Sequence, residues 1–168
     1  MTRIESERLI CYPVSDGEMK RLIENEKDAG LRQAYSEMLQ GCLGEPENRI
    51  WYAVWAMELK QRPGTVVGDF SFKGLREDGM VEIGYGLREE YRGHGYMTEA
   101  LKAVSKWALA QKGVTRVEAE TEPENEASRK ALLRAGFVPT GTVGKEGPRF
   151  LFRNGPEPDG RFAPHKQR

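Results

Sequence analysis

The sequence is short of the residues that mark several classes of protein. It has two cysteines, Cys11 and Cys42, in 168 residues. Their separation fits neither a metal-ligand spacing nor a disulfide framework, so they read as reduced and buried. Two histidines, His94 and His165, are too few for a histidine-rich metal centre. Net charge is absent as well: 26 Lys and Arg balance 26 Asp and Glu. No basic excess therefore points to nucleic acid or an anionic membrane surface. No apolar run approaches the roughly 18 residues of a membrane span. The opening MTRIESERLI lacks the apolar stretch of a secretory signal. These absences point to a cytoplasmic protein, and the length suits one domain with its own core.

The patterning supplies the elements. RLICYPV, 8–14, reads as a strand stopped by Pro13. Asp16 is placed to cap a helix carrying Met19, Leu22 and Ile23, and a second helical pattern spans 31–43, with Gly44 and Pro46 as stop signals. The period then changes to two. WYAVWAM, 51–57, puts Trp51, Ala53, Trp55 and Met57 on one face. TVVGDFSFKG, 65–74, aligns Val66, Phe70 and Phe72, and MVEIGYGL, 80–87, aligns Val81, Ile83, Tyr85 and Leu87. Short turns join the three, which predicts an antiparallel meander. A helix over 97–111, a strand at 115–121, a short helix ending at Gly136, and strands at 137–143 and 148–153 follow. The expected fold is a single α/β domain over 1–153, with a flexible tail over 154–168.

The informative stretch lies between meander and helix: EYRGHGYMTEAL, 90–101. A helix N-terminus offers unpaired N–H groups and partial positive charge, which suits a phosphate. Glycines in front of it let the backbone approach a ligand. A P-loop is excluded, because no Lys-Ser or Lys-Thr follows, and a dinucleotide fingerprint fails at Thr98, where its third glycine belongs. By itself RGHG is equally compatible with a plain strand-to-helix turn. The preceding strand adds weight: Gly84 and Gly86 leave one face nearly bare, as close approach of another backbone or a ligand requires.

EIGYGLREEYRGHGYMTEAL, together with PENEASRKALLRAGF downstream, resembles the Gcn5-related N-acetyltransferase superfamily. SERLICYPV and the Trp51 to Phe72 strands resemble the branch of ribosomal-protein N-terminal acetyltransferases. The resemblance covers roughly residues 6 to 153. It implies a mixed, mostly antiparallel sheet with helices on both faces and a splayed parallel strand pair, formed by the strand ending at Leu87 and that at 115–121. It also implies acetyl-CoA as cosubstrate in the opening. Backbone amides near Leu87 and Arg88 would hold the pantetheine and thioester. Arg92, Gly93, His94, Gly95, Tyr96, Met97 and Thr98 would surround the pyrophosphate, with Asn125 and Ser128 also facing the cofactor. Leu132 stands where many members carry a catalytic tyrosine.

Acetyl transfer to an amine needs a base, an oxyanion donor and a proton for the thiolate. Glu82, on the bare face, is the expected base. Its competing role is an ion pair with Lys or Arg. Ser128 is the expected proton donor, or a local helix-terminal hydrogen-bonding residue. The aromatics Trp51, Trp55, Phe70, Phe72 and Tyr85 read mainly as core. The expected activity is direct transfer in a ternary complex to a protein N-terminus or a small amine, by a monomer or homodimer with no nucleic-acid or membrane partner. The alternative is a non-catalytic acyl-CoA-binding domain.

Overall fold

The computed structural model describes residues 2–153, so the expected tail lies outside the described residues. Two short antiparallel strands open the chain, β1 (Ile4–Glu5) and β2 (Leu9–Pro13). Helices α1 (Asp16–Asn25) and α2 (Ala29–Gly44) follow. Ser15, not Asp16, caps α1: its side chain accepts from the Glu18 amide while the Glu18 carboxylate accepts from the Ser15 amide. This reciprocal pair satisfies two otherwise orphaned donors, leaving Asp16 in the first turn, where its charge favours the helix dipole.

Pro46–Trp51 forms a 3-10 helix, so Trp51 and Ala53 precede the next strand instead of belonging to it. Both Tyr52 and Ala53 donate to the Arg49 carbonyl, which delays extension. Strand β3 (Trp55–Leu59) then pairs with β2 and with β4 (Val66–Ser71). The expected strand over 80–87 divides at Ile83 into β5 (Met80–Glu82) and β6 (Gly84–Leu87). After β6 come α3 (Tyr96–Leu109), β7 (Arg116–Glu120), α4 (Glu126–Ala135), β8 (Phe137–Val143) and β9 (Pro148–Phe152).

The division at Ile83 sets the architecture. One sheet runs β1-β2-β3-β4-β6 and the other β5-β7-β9-β8. β5 lies parallel to β7 as far as Glu82 opposite Glu118. Beyond that point β6 turns to pair antiparallel with β4, while β7 continues along β9. A wedge therefore opens between β6 and the end of β7. Two apolar layers flank the sheets. Trp55, Met57, Phe70, Phe72, Val81, Ile83, Leu101, Val104, Val117 and Leu132 are packed on the α3 and α4 side. Met19, Tyr35, Leu39, Cys42, Val54 and Ala56 are packed on the α1 and α2 side. Trp55 anchors the first layer, 5.4 Å from both the Phe70 and Trp107 rings. Such contacts add about 0.5–1.5 kcal/mol each beyond burial.

Candidate active site

The wedge is a cleft of about 730 Å³, within the roughly 300–1,000 Å³ usual for ligand pockets. One wall is the free edge of β6. Gly68 pairs with Leu87, and the Arg88 amide donates to the Val67 carbonyl at 2.8 Å. In an antiparallel ladder this makes Gly68–Leu87 a non-hydrogen-bonded pair, so the Leu87 N–H points away from β4 into the wedge. The Leu87 amide therefore faces the wedge. The Arg88 amide is committed to the sheet, and its side chain is exposed.

The floor is the glycine loop. Gly93 and Gly95 have φ of +82° and +79°, which an L side chain adopts only under strain. Gly95 is the N-cap of α3, and no side chain caps that helix. From Gly93 to Thr98 no backbone N–H donates to an acceptor among the described residues; pairing resumes at Glu99, which donates to Gly95. An added side-chain carbon at Gly93 would meet nothing within 4 Å. This is a row of unpaired donors at a helix N-terminus, open at Gly93 and with the Arg8 guanidinium near Gly95, a geometry that fits a diphosphate. Arg92, Tyr96, Met97 and Thr98 line the cleft beside it. His94 is not among the lining residues; it is exposed, with Nδ1 3.3 Å from the Tyr91 carbonyl and its ring over Tyr96.

Helix α4 forms the far wall. The Asn125 carboxamide accepts from the Ser128 amide at 3.0 Å, so Asn125 is the helix cap as well as a cleft residue. Ala127, Lys130, Ala131 and Arg134 present one helical face to the cleft. Lys130 and Arg134, at i, i+4 spacing on that face, are further anion-binding candidates; their spacing in the sequence is the signal that marks them.

Tyr85, which has the strand spacing of a core aromatic, lines the cleft. Its hydroxyl lies 2.6 Å from the Ser128 hydroxyl, across the cleft from β6 to α4. Burial raises the Tyr85 pKa, only partly offset by the Ser128 hydrogen bond. Leu132, by contrast, is fully buried in the core.

Glu82 does not line the cleft directly. Its Oε2 accepts from Lys73 at 2.9 Å and its Oε1 from Arg149 at 3.3 Å. Arg149 also pairs with Glu118, at 2.7 Å, and with Glu120. Burial alone would raise the pKa of Glu118 and of Glu120. Hydrogen bonds from Arg116 and Arg149 to Glu118, and from the Glu146 amide and Arg149 to Glu120, outweigh that effect and hold both below the ordinary value.

The sequence model of the acetyltransferase (GNAT) domain matches residues 5–138. The chain belongs to the GNAT acetyltransferase family. Among curated relatives, the uncharacterized N-acetyltransferase YjdG of Bacillus subtilis is 38% identical over 74 residues, 44% of each chain. The uncharacterized N-acetyltransferase YoaA of the same organism is 25% identical over 90% of this chain and 89% of its own. The alignment thus spans less than half of YjdG but most of YoaA. Among solved structures, the ribosomal-protein-S5-alanine acetyltransferase of Vibrio fischeri matches with a TM-score of 0.68 at 17% identity, covering 90% of this chain and 94% of that one. The ribosomal L7/L12 α-N-protein acetyltransferase RimL, solved in complex with coenzyme A, matches with a TM-score of 0.66 at 16% identity, over 89% of this chain and 95% of that one. At such identities these likenesses establish the GNAT fold.

Proposed function

We propose that this chain transfers the acetyl group of acetyl-CoA directly to a primary amine in a ternary complex. The row of unpaired amides from Gly93 to Thr98, at the base of a cleft whose upper wall offers the Leu87 N–H, carries this reading. Arg92, Lys130 and Arg134 would add charge-assisted contacts to the cofactor's phosphates. The Leu87 N–H would meet the thioester carbonyl and bind it more strongly as negative charge develops on oxygen.

The chemistry then needs two proton movements. One proton leaves the acceptor nitrogen, and Glu82 is the proposed base. Each of its oxygens accepts one hydrogen bond, from Lys73 and from Arg149, and the remaining lone pairs are the ones that would take that proton. The other proton goes to the departing thiolate. The Ser128 hydroxyl would supply it, with the Tyr85 hydroxyl, 2.6 Å away, restoring the serine proton. In this arrangement the phenol comes from strand β6 instead of from the α4 position that Leu132 occupies. The acceptor is a protein N-terminus or a small amine, both of which present the same attacking group.

Calorimetric titration with CoA tests the cofactor half of this reading. Wild-type protein is expected to bind, and Gly95→Val to bind at least about tenfold more weakly, because a β-branched side chain at φ +79° strains the loop that presents the amides. Equal affinity in a folded Gly95→Val protein would place the cofactor elsewhere.

A further inference from the structure

The face of the sheet that carries α1 and α2 holds a carboxylate the proposed chemistry has not used. Asp69 lies on β4 directly opposite Gly86 of β6 on one side and Ala56 of β3 on the other. Cross-strand partners share a face, and Ala56 is packed in the layer with Tyr35 and Leu39 of α2. Asp69 therefore points to the α2 side. Its charge is felt by Tyr35, whose hydroxyl is pushed up to about 12, first by burial and then by Asp69.

Asp69 accepts no hydrogen bond and makes no ion pair among the described residues, and Arg88 is the one charge that acts on it. Burial raises its pKa, with the Arg88 charge opposing. The side chain is half-buried, so an ionised carboxylate there is only partly hydrated and has no cation paired to it. Next to it the surface is open: Gly86 is exposed, and a carbon added there would meet nothing within 4 Å. Gly86 also lines the cofactor cleft. Through this glycine the open patch beside Asp69 adjoins the edge of β6 that carries the Leu87 N–H.

We infer that Asp69 is the acceptor-binding carboxylate: the acceptor enters on the α1–α2 face, and its primary ammonium pairs with Asp69 beside Gly86 before attack. The inference rests on the acetyltransferase reading and specifies the acceptor as a cationic primary amine whose approach crosses a side-chain-free strand. Pairing supplies Asp69 with the partner the fold itself does not provide. Arg88, two residues beyond Gly86, is the charged neighbour against which the ammonium competes.

The test titrates CoA-loaded protein, which cannot turn over, with putrescine, benzylamine and an alanine tetrapeptide amide bearing a free N-terminus. At least one of the three is expected to bind wild type, and which one separates a small-amine acceptor from a protein N-terminus. Asp69→Asn is expected to weaken that binding by at least about tenfold, as loss of one member of a partly desolvated charge pair does. CoA affinity should stay at the wild-type value and the melting temperature should not fall. Asp69→Ser serves the same purpose if the asparagine variant folds poorly. Unchanged amine affinity in the variant, or no amine binding to wild type while CoA binds, overturns the assignment. Failure to bind CoA at all strikes the acetyltransferase reading itself, so the two failures are distinct.

Discussion

Glu82→Gln lowers kcat for acetyl transfer by roughly 10²- to 10⁴-fold, the range for loss of a general base, and leaves CoA affinity unchanged. An acceptor amine is protonated near neutral pH, so a proton must leave before or during attack. Glu82 is on the face of its strand opposite Val81 and Ile83, which are buried in the core. Its side chain is 18% exposed and flanked by Lys73 and Arg149. Glutamine keeps the shape, but its single carbonyl oxygen can accept from only one of the two cations, so the substitution removes proton acceptance and also one of these two contacts. The deficit is expected to narrow as pH rises, because a growing share of the amine is already neutral. Steady-state rates over roughly pH 6 to 9 are the check. Near wild-type kcat throughout, with a lowered melting temperature, would assign Glu82 to the ion-pair framework, and the proton would then leave through Asp69 or water.

Arg149→Met should destabilise the fold by about 3 kcal/mol, the usual scale for removing one partner of a buried charge cluster. On a domain of this size that is a fall in melting temperature on the order of 10 °C. Arg149, on β9 opposite Glu120, is the cation shared by Glu82, Glu118 and Glu120, and its side chain is 16% exposed. Methionine leaves three carboxylates together, with only Lys73 and Arg116 nearby. The pH dependence follows from the lowered pKa values of Glu118 and Glu120. A carboxylate depressed in the folded state contributes stability above its unfolded value, here 4.5, and that contribution is lost as pH falls through the folded value. The gap between wild type and Arg149→Met should therefore be widest near neutrality and shrink in acid. Thermal melts at about pH 7 and about pH 4 measure it. A gap that is small or independent of pH would mean the cluster is solvated and adds little.

The parts of this protein legible in its sequence are those fixed by local chemistry. Gly93, Gly95 and the helix behind them could be read directly, because positive φ and an uncapped helix start are properties of a few adjacent residues. Asn125 and Gly136 bound α4 for the same reason. The misplaced features depended on partners distant in sequence. Trp51 and Ala53 continue the period of two into Trp55 and Met57, yet the chain there is curled by bonds to Arg49, and pairing with β2 begins only at Trp55. The alternation Val81, Ile83, Tyr85, Leu87 is unbroken and gives no sign that the strand changes sheets at Ile83. That change of partner opens the cleft. Tyr85 keeps the spacing of a core residue; only the approach of α4 places Ser128 against its hydroxyl. Asp69 alternates with Phe70 as any outward polar residue would. Its lack of a partner emerges only once α2 is packed above it.

The most direct measurement is amine-dependent release of free CoA thiol from acetyl-CoA, run with putrescine, benzylamine and the alanine tetrapeptide amide, with the acetylated product identified by mass spectrometry. The account predicts saturable release that requires both acetyl-CoA and one of these amines, with the acetyl group recovered on the amine nitrogen. Binding of acetyl-CoA without transfer to any of the three amines would contradict it and leave a protein that holds the cofactor but does not use it.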